Sequence, residues 1–466
     1  MLYNANARRS GIGFAPLRFL LFVGIVTGIP TLMVSGCLLN ARHTLAARTD
    51  AIRLSGEPTT PAELDRWYTA VPDAENAAIP LADALAILHR IDDPKNGDDP
   101  TSPIMFLAKP AIRSGAEAIP IDLSRSFAPL LSKRKSYVAK LREASQRPSC
   151  RFPVSFERHS GYFASSATSD LRQVQGFITL AAALEADEGQ RDAAFADLIA
   201  TIRLSDVLRN EPLWASQYFR LNARRTACWA VEFAGNRVTF VDQQLSSLIE
   251  TIGRLEDPDL AYRAIVGERC EVLSFYRHHA VTGSQTTAAF VSLHAYVAAW
   301  KAVHFLDTTD RLLPASRLDS VSRRHTASVV DRANREYQVR ASPWKEFSDT
   351  YTQGFLSSIR ILIEYHDQDT ALWAVTRVAL AAERYRLAHG DWPRELSELV
   401  PAYLEKLPAD PFDGEPLRYV RHDDGITVYS VGYNRKDDGG SPSVKEDWRT
   451  GDIAFTLRRT PAVREG

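Results

Sequence analysis

Cysteine pairs of the kind that bind metals or carry out redox chemistry are missing from this sequence. Its four cysteines are Cys37, Cys150, Cys228 and Cys270, and no two of them form a Cys-x-x-Cys pair. Zinc knuckles and thioredoxin-like sites therefore have no support. The last three cysteines would form a disulfide only in an oxidising compartment, and their spacing assigns no pairing.

An excess of charge of either sign is missing as well. The 466 residues carry 56 lysines and arginines against 57 acidic residues, which gives a net charge of −1. Basic residues are interleaved with acidic ones, a pattern typical of solvated helix faces. We therefore expect no nucleic-acid partner. The hydrophobic fraction of 45% is ordinary for globular proteins, and the length allows two or three domains.

The familiar catalytic motifs are also absent. The sequence contains no His-Glu-x-x-His, no phosphate-binding P-loop, no dinucleotide-binding glycine loop and no Gly-x-Ser-x-Gly. This absence favours a non-catalytic protein that works through protein–protein contacts or as a scaffold. The alternative is an exported enzyme whose catalytic residues are scattered through the helical region, because such residues leave no local signature.

The N-terminal region has the features of a membrane anchor. Residues 19–39 contain no charged side chain, and Arg8, Arg9 and Arg18 precede them. A helix of this length, at ~1.5 Å per residue, would cross a hydrocarbon core of ~30 Å. The sequence therefore predicts a single-pass signal anchor within residues 1–40, located in the inner (cytoplasmic) membrane. The basic flank would keep the N-terminus inside and place the chain after residue 40 outside the cytoplasm.

Two other interpretations of this segment remain open. Val34-Ser35-Gly36-Cys37 resembles a lipobox, which would make Cys37 an acylated N-terminus of a lipoprotein. Gly13-Phe14 resembles the cleavage site of a type IV prepilin, but Arg18 stands where pilins carry glutamate. We favour the anchor because Leu38 and Leu39 extend the apolar run past the cysteine.

Residues 41–350 have the pattern of an irregular α-helical domain. Its clearest part is a helical hairpin over 168–210, in which two stripes of apolar residues at a spacing of three to four are separated by Gly189. Residues 286–306 are apolar enough for a second membrane span. The charged or ionisable His294, Lys301 and His304 instead predict a buried helix of a soluble domain.

The chain changes character after residue 350. A strongly periodic helix is predicted over 371–389 and ends at Gly390, and a short helix is predicted over 395–400. Three strands follow, at 417–420, 426–431 and 453–457. The sequence thus predicts a mainly α fold with a small α+β module at 351–459, a short antiparallel sheet and a tail at 460–466.

This module resembles the C-terminal half of type II secretion major pseudopilins. The resemblance rests on an ordered series of motifs: Tyr385 through Pro393, Leu407 through Gly414, Tyr429 through Gly432, Lys436 through Gly440, and Asp452-Ile453. It covers about a fifth of the chain, and the whole chain resembles uncharacterised bacterial envelope proteins with an N-terminal anchor and a helical middle. In a pseudopilin the membrane helix runs directly into the module, whereas here some 330 residues intervene.

The resemblance also implies a metal site, because the corresponding loop of major pseudopilins binds calcium. The oxygen donors would be Asn434, Asp437, Asp438 and Asp452. Carboxylate and amide oxygens are the ligands that Ca²⁺ prefers. The alternative is a solvated turn rich in aspartate and glycine.

Overall fold

The structure is a computed structural model of the chain. It describes residues 15–91, 103–117, 135–154, 156, 166–282, 288–316, 330–333, 335, 350–442 and 449–459. Within these ranges the chain is mainly α-helical and carries one small antiparallel sheet, which confirms the predicted fold class at that level.

Helices account for most of the described residues. The first group is α1 (Ala15–Leu54), α2 (Pro61–Trp67), α3 (Ala78–Ile91), α4 (Pro110–Arg113), α5 (Lys135–Ser145), α6 (Ser166–Asp187) and α7 (Arg191–Leu204). The second group is α8 (Trp214–Gly235), α9 (Asp242–Gly253), α10 (Leu260–Thr282), α11 (Ala288–Ser316) and α12 (Thr350–His389). Short 3₁₀ helices lie at Asp73–Glu75, Pro103–Ala108 and Leu396–Leu399.

The predicted helical hairpin over 168–210 is present as α6 and α7. Gly189 lies between them with φ of 76°, a left-handed conformation that glycine adopts without strain. The apolar stripes of the two helices face the interior, where Phe177, Ile178 and Leu198 are fully buried. The periodicity of the sequence therefore located both helices and the turn between them.

The helix predicted over 371–389 is the second half of a much longer one. Helix α12 begins at Thr350 and runs for 40 residues. Its first half buries Leu356, Ile359 and Leu362, and its second half packs against α8, α9 and the sheet. The main hydrophobic core includes side chains from α6 to α9, from α12 and from the segment of the chain that contains the three strands. The boundary predicted at residue 351 thus falls at the start of a helix that serves both regions, and it stays a prediction.

The predicted membrane-spanning helix over 19–39 is wrong. Among the helices that the structure describes, none is long and apolar enough to cross a membrane. Helix α1 continues past the apolar run, and Arg48 on it pairs with Asp307 and Asp310 of α11 at 2.7 and 2.6 Å. The single-pass inner-membrane location that was predicted from this segment is wrong for the same reason.

The sheet has the strand order β1 (Arg418–His422), β2 (Gly425–Ser430) and β3 (Ile453–Arg458). Both pairs are antiparallel, and β2 lies in the middle. A two-residue turn joins β1 to β2. Position 425, directly after this turn, requires glycine because a Cβ there would lie 1.9 Å from the backbone oxygen of Leu457 on β3. The predicted strands agree with the observed ones within one or two residues.

Candidate functional site

The four predicted calcium ligands lie in one loop that packs on the sheet. The Asn434 side-chain amide donates to Asp438 Oδ2 at 3.0 Å. The carboxylate of Asp452 accepts from the backbone N–H of Asp438 at 3.1 Å and of Gly440 at 2.7 Å. Asp437 Oδ1 accepts from the Tyr429 hydroxyl at 3.0 Å. The sequence therefore identified residues that come together in space.

The arrangement of these donors does not fit a cation as it stands. Asp452 is buried and faces backbone N–H groups, which carry partial positive charge and repel a metal ion. Burial raises the pKa of its carboxyl, against the lowering effect of those N–H donors. No group of three or more acidic, histidine or cysteine side chains in the described part of the chain could hold a metal. Calcium binding therefore stays a prediction, and no step of a mechanism depends on it.

Cys37 is a free, exposed cysteine on α1. Nothing in the structure tests the predicted lipobox around it. Cys150, Cys228 and Cys270 are buried and free, so the described residues contain no disulfide among them. Burial raises the pKa of the Cys150 and Cys228 thiols, which suits inert packing residues rather than nucleophiles.

Two motifs of the terminal module meet at Asp410. This carboxylate is fully buried, and it accepts from the Ser430 hydroxyl at 2.8 Å and from the Val431 backbone N–H at 2.9 Å. It also accepts from the Phe412 N–H at 2.9 Å and pairs with Arg418 at 3.1 Å. The turn before β1 and the end of β2 are therefore held together by one carboxylate.

Side chains of helix α8 bond to the outer edge of β3 at Thr456 and Arg458. Glu232 Oε1 accepts from the Thr456 N–H at 3.0 Å. Asn236 donates to the Thr456 carbonyl at 2.7 Å and accepts from the Arg458 N–H at 2.7 Å. The other oxygen of Glu232 accepts from Arg113 at 2.6 Å. An unpaired edge strand invites pairing with other chains, and here a helix satisfies the outward groups of Thr456 and the N–H of Arg458 instead.

The outer edge of β1 is different. Alternate residues of an antiparallel strand direct their N–H and C=O groups away from the neighbouring strand. On β3 these are Ala454, Thr456 and Arg458, and the register then makes Tyr419 and Arg421 the corresponding residues of β1. Within the described residues, no backbone or side-chain group bonds to the outward backbone groups of Tyr419 and Arg421.

Side chains of β1 do contact the segment before it. The Tyr419 hydroxyl donates to the Pro393 carbonyl at 2.8 Å, and Arg421 pairs with Asp391 at 2.9 Å. These contacts involve the side chains only. They fix β1 in place without using the outward backbone groups of Tyr419 and Arg421.

A network of buried arginines and carboxylates joins the helices. Arg220 is fully buried and pairs with Asp206 at 2.5 Å and with Asp257 at 2.6 Å. Arg224 pairs with Asp206 at 3.0 Å and with Asp369 of α12 at 2.8 Å. Every charge in this set has an opposite charge beside it. The set therefore stabilises the packing of α8 and α12 and presents no open catalytic group.

Three further acids, one buried and two partly buried, have no basic partner at hydrogen-bonding distance in the described residues. Glu211 is fully buried, and its only side-chain partner there is the Ser216 hydroxyl, at 2.5 Å. Burial raises the pKa of Glu211 to about 7. Burial also raises the pKa values of Glu268 and Glu271, two neighbouring acids on α10. Desolvation therefore shifts all three acids towards their neutral forms.

One cavity of about 430 Å³ lies between α5, α7 and α9. Polar and charged residues supply most of its lining, which consists of Arg142, Ser145, Gln146, Phe195, Ala196, Ile199, Arg203, Ser247, Glu250, Thr251 and Arg254. Its one lining acid, Glu250, pairs with Arg254. Behind Arg142 lie Asp197, with which it pairs, and Glu185, at 3.4 Å. Burial and then the charge of Asp197 raise the pKa of Glu185.

Sequence reasoning missed the residues that close the β3 edge. Glu232 and Asn236 are four positions apart and therefore share one face of α8. The spacing was visible in the sequence, but no local signal connects it to a strand more than 200 residues away.

Comparison of the chain with known protein families, with curated proteins and with solved structures finds no match.

Proposed function

We propose that this chain is a non-catalytic scaffold protein that makes protein contacts through the sheet of its terminal module, and that this module is related to the C-terminal part of pseudopilins. The observation that carries the proposal is that the described residues leave the outward backbone groups of Tyr419 and Arg421 on β1 without a partner, whereas α8 bonds to Thr456 and Arg458 on β3. Strand addition to an open sheet edge is a common mode of protein recognition, in which main-chain hydrogen bonds supply much of the affinity.

Asp410 supports the relation to pseudopilins. Two motifs that carry the resemblance, at 407–414 and 429–432, are distant in sequence but meet at this carboxylate. A motif pair that is joined by a buried hydrogen-bonded group has a structural reason to occur together. The long helical region before the module fits a scaffold better than a subunit that assembles through an N-terminal helix.

The proposal is tested by changing one backbone donor of β1. Arg421→Pro removes the outward N–H of residue 421, and proline is tolerated on edge strands. Arg421→Ala removes the same side chain and keeps the N–H. We expect partners that bind the wild-type protein and the alanine variant to be lost from the proline variant in quantitative affinity capture. Retention of the same partners by all three proteins would contradict contact through this edge.

An enzyme with its site in the helical region is the second candidate, and the cavity between α5, α7 and α9 favours it. A catalytic acid there would be Glu185, whose pKa is raised by burial, but Arg142 lies between it and the cavity. A screen of ester, glycoside and phosphoester substrates with the wild-type and Glu185→Gln proteins decides between the two. Turnover that the substitution abolishes would establish the enzyme, whereas the scaffold predicts no turnover by either protein.

A further inference from the structure

We propose that the strand that pairs with β1 is β1 of a second copy of this chain, arranged antiparallel about a two-fold axis at Val420. The two three-stranded sheets would then form one continuous sheet of six strands. This inference rests on the proposed function and names the partner of the same edge.

The backbone pattern of β1 permits one register in which all outward groups are satisfied. The outward residues are Tyr419 and Arg421, one on each side of Val420. If Tyr419 lies opposite Arg421 of the second copy, both residues of each copy exchange N–H and C=O bonds, because they form hydrogen-bonded pairs of an antiparallel ladder. A shift of two residues would leave half of these groups unpaired.

The side chains suit the same register. Val420 would lie opposite Val420 of the second copy, in a non-hydrogen-bonded pair where side chains approach closely. Each Arg421 would lie opposite a Tyr419, and arginine interacts favourably with aromatic rings. The sequence Tyr-Val-Arg is therefore complementary to itself in the antiparallel direction.

Charge does not prevent this pairing, because the arginines of β1 are balanced within each copy. Arg418 pairs with Asp410 at 3.1 Å and also contacts Asp413. Arg421 pairs with Asp391 at 2.9 Å. The remaining basic side chain, His422, has Nε2 2.9 Å from the Thr427 hydroxyl. The arginines of β1 in each copy are therefore neutralised by acidic partners and do not form a row of unpaired positive charges.

The expected dimer is weak and concentration-dependent. Stable interfaces bury on the order of 1,200–2,000 Å², and two five-residue strands cover less than this. A weak symmetric contact suits a scaffold that assembles where its local concentration is high.

Disulfide trapping tests the register. In a Cys37→Ser background, which removes the exposed native thiol, Val420→Cys would place two thiols on the axis with Cα atoms ~4.5 Å apart. The matched control is Asp423→Cys on the exposed turn, where the two thiols would be ~20 Å apart. We expect mild oxidation to give at least tenfold more covalent dimer from the first protein. Equal yields from the two proteins would overturn the register.

Sedimentation equilibrium keeps the inference testable if the trapping variant folds poorly. We expect the wild-type protein to dimerise, Arg421→Ala to dimerise at a somewhat higher concentration because it loses the contact with Tyr419 of the second copy, and Arg421→Pro to stay monomeric. A wild-type monomer at high concentration, or an unchanged dimer of the proline variant, would overturn the inference. If the wild type is monomeric while Arg421→Pro still loses partners in affinity capture, the second copy is excluded and the proposed function stands.

Discussion

The two edges of the small sheet differ in how their outward backbone groups are hydrogen-bonded. At β3, Glu232 and Asn236 of α8 bond to backbone groups that would otherwise be open to another strand. At β1, side chains contact the preceding segment, and the described residues leave the outward backbone of Tyr419 and Arg421 without a partner. Among the described residues, a helix therefore bonds to the edge of the sheet at β3, and no helix bonds to the backbone edge at β1.

Closing the β3 edge also ties the terminal module to the helical region. The hydrogen bonds of Glu232 and Asn236 join residues 220 to 224 positions apart in the chain. They come from a helix whose other face belongs to the main core. The closed edge is therefore part of the interior, whereas the open edge belongs to the surface, and substitutions at the two edges have different expected costs.

The largest effect is expected from Glu232→Ala. The substitution removes the acceptor for the Thr456 N–H and leaves Arg113 buried without its carboxylate. Loss of one partner of a buried ion pair costs about 3–5 kcal/mol. Urea denaturation would measure the change in free energy of unfolding. Glu256→Ala, which removes an exposed partner of Arg377, is the control and is expected to cost less than about 1 kcal/mol.

The next largest effect on the free energy of unfolding is expected from pH. It does not distinguish between the two edges of the sheet. Burial raises the pKa of Glu211 to about 7 from its usual value near 4.5. Between these two pH values the folded protein keeps a proton on Glu211 that the unfolded chain has released. The contribution of Glu211 to the free energy of unfolding is therefore fully present below about pH 4.5 and is lost as the pH rises through 7. A shift of this size corresponds to roughly 3 kcal/mol.

Thermal unfolding from pH 5 to 8 measures this dependence. Glu211→Gln removes the titrating group and is expected to flatten the curve. An equally steep decline in the variant would assign the pH dependence to other groups. Comparisons of edge variants are therefore best made at one pH.

Asn236→Ala is expected to open the closed edge without removing a charge. It takes away the donor to the Thr456 carbonyl and the acceptor for the Arg458 N–H. Leaving buried or partly buried backbone groups unsatisfied costs about 1–3 kcal/mol. Hydrogen exchange at Arg458 would report the opening directly. Asn222→Ala on the same helix, whose amide donates to the Tyr218 carbonyl, is the matched control and should leave that exchange rate unchanged.

The smallest effect is expected from calcium at the loop before β3. A site with a dissociation constant of about 1 mM would add about 1 kcal/mol of stability at 5 mM calcium. We expect less than this, because Asp452 already accepts from two backbone N–H groups. Thermal unfolding with calcium, compared with magnesium, measures the effect. A larger, calcium-specific stabilisation that Asp438→Asn abolishes would show that the loop rearranges into the predicted site.

The sequence correctly predicted the helices and strands that local periodicity and turn chemistry determine. The α6–α7 hairpin and the three strands follow from residues close together in the chain, whereas the grouping of Asn434 with Asp452 was predicted only from the resemblance to pseudopilins. It failed where the partner is remote. A run of apolar residues at 19–39 does not show what it packs against. In the structure Leu38 is buried, whereas Ile29, Leu32, Met33 and Leu39 are exposed.

The edge residues show the same limit more sharply. Glu232 and Asn236 look like ordinary polar positions of a helix, and only the folded chain brings Thr456 and Arg458 to them. The open edge was equally hidden, because an unpaired strand and a paired one have the same local pattern.

Helix α12 has a consequence for how the molecule responds to force and heat. Its 40 residues form a rod ~60 Å long, which packs against α10 along its first half and against α8, α9 and the sheet along its second. Tension applied at the sheet would travel along this rod into the helical region instead of stretching a flexible hinge. The two regions are therefore expected to melt as one cooperative unit, and a single calorimetric transition would be its signature.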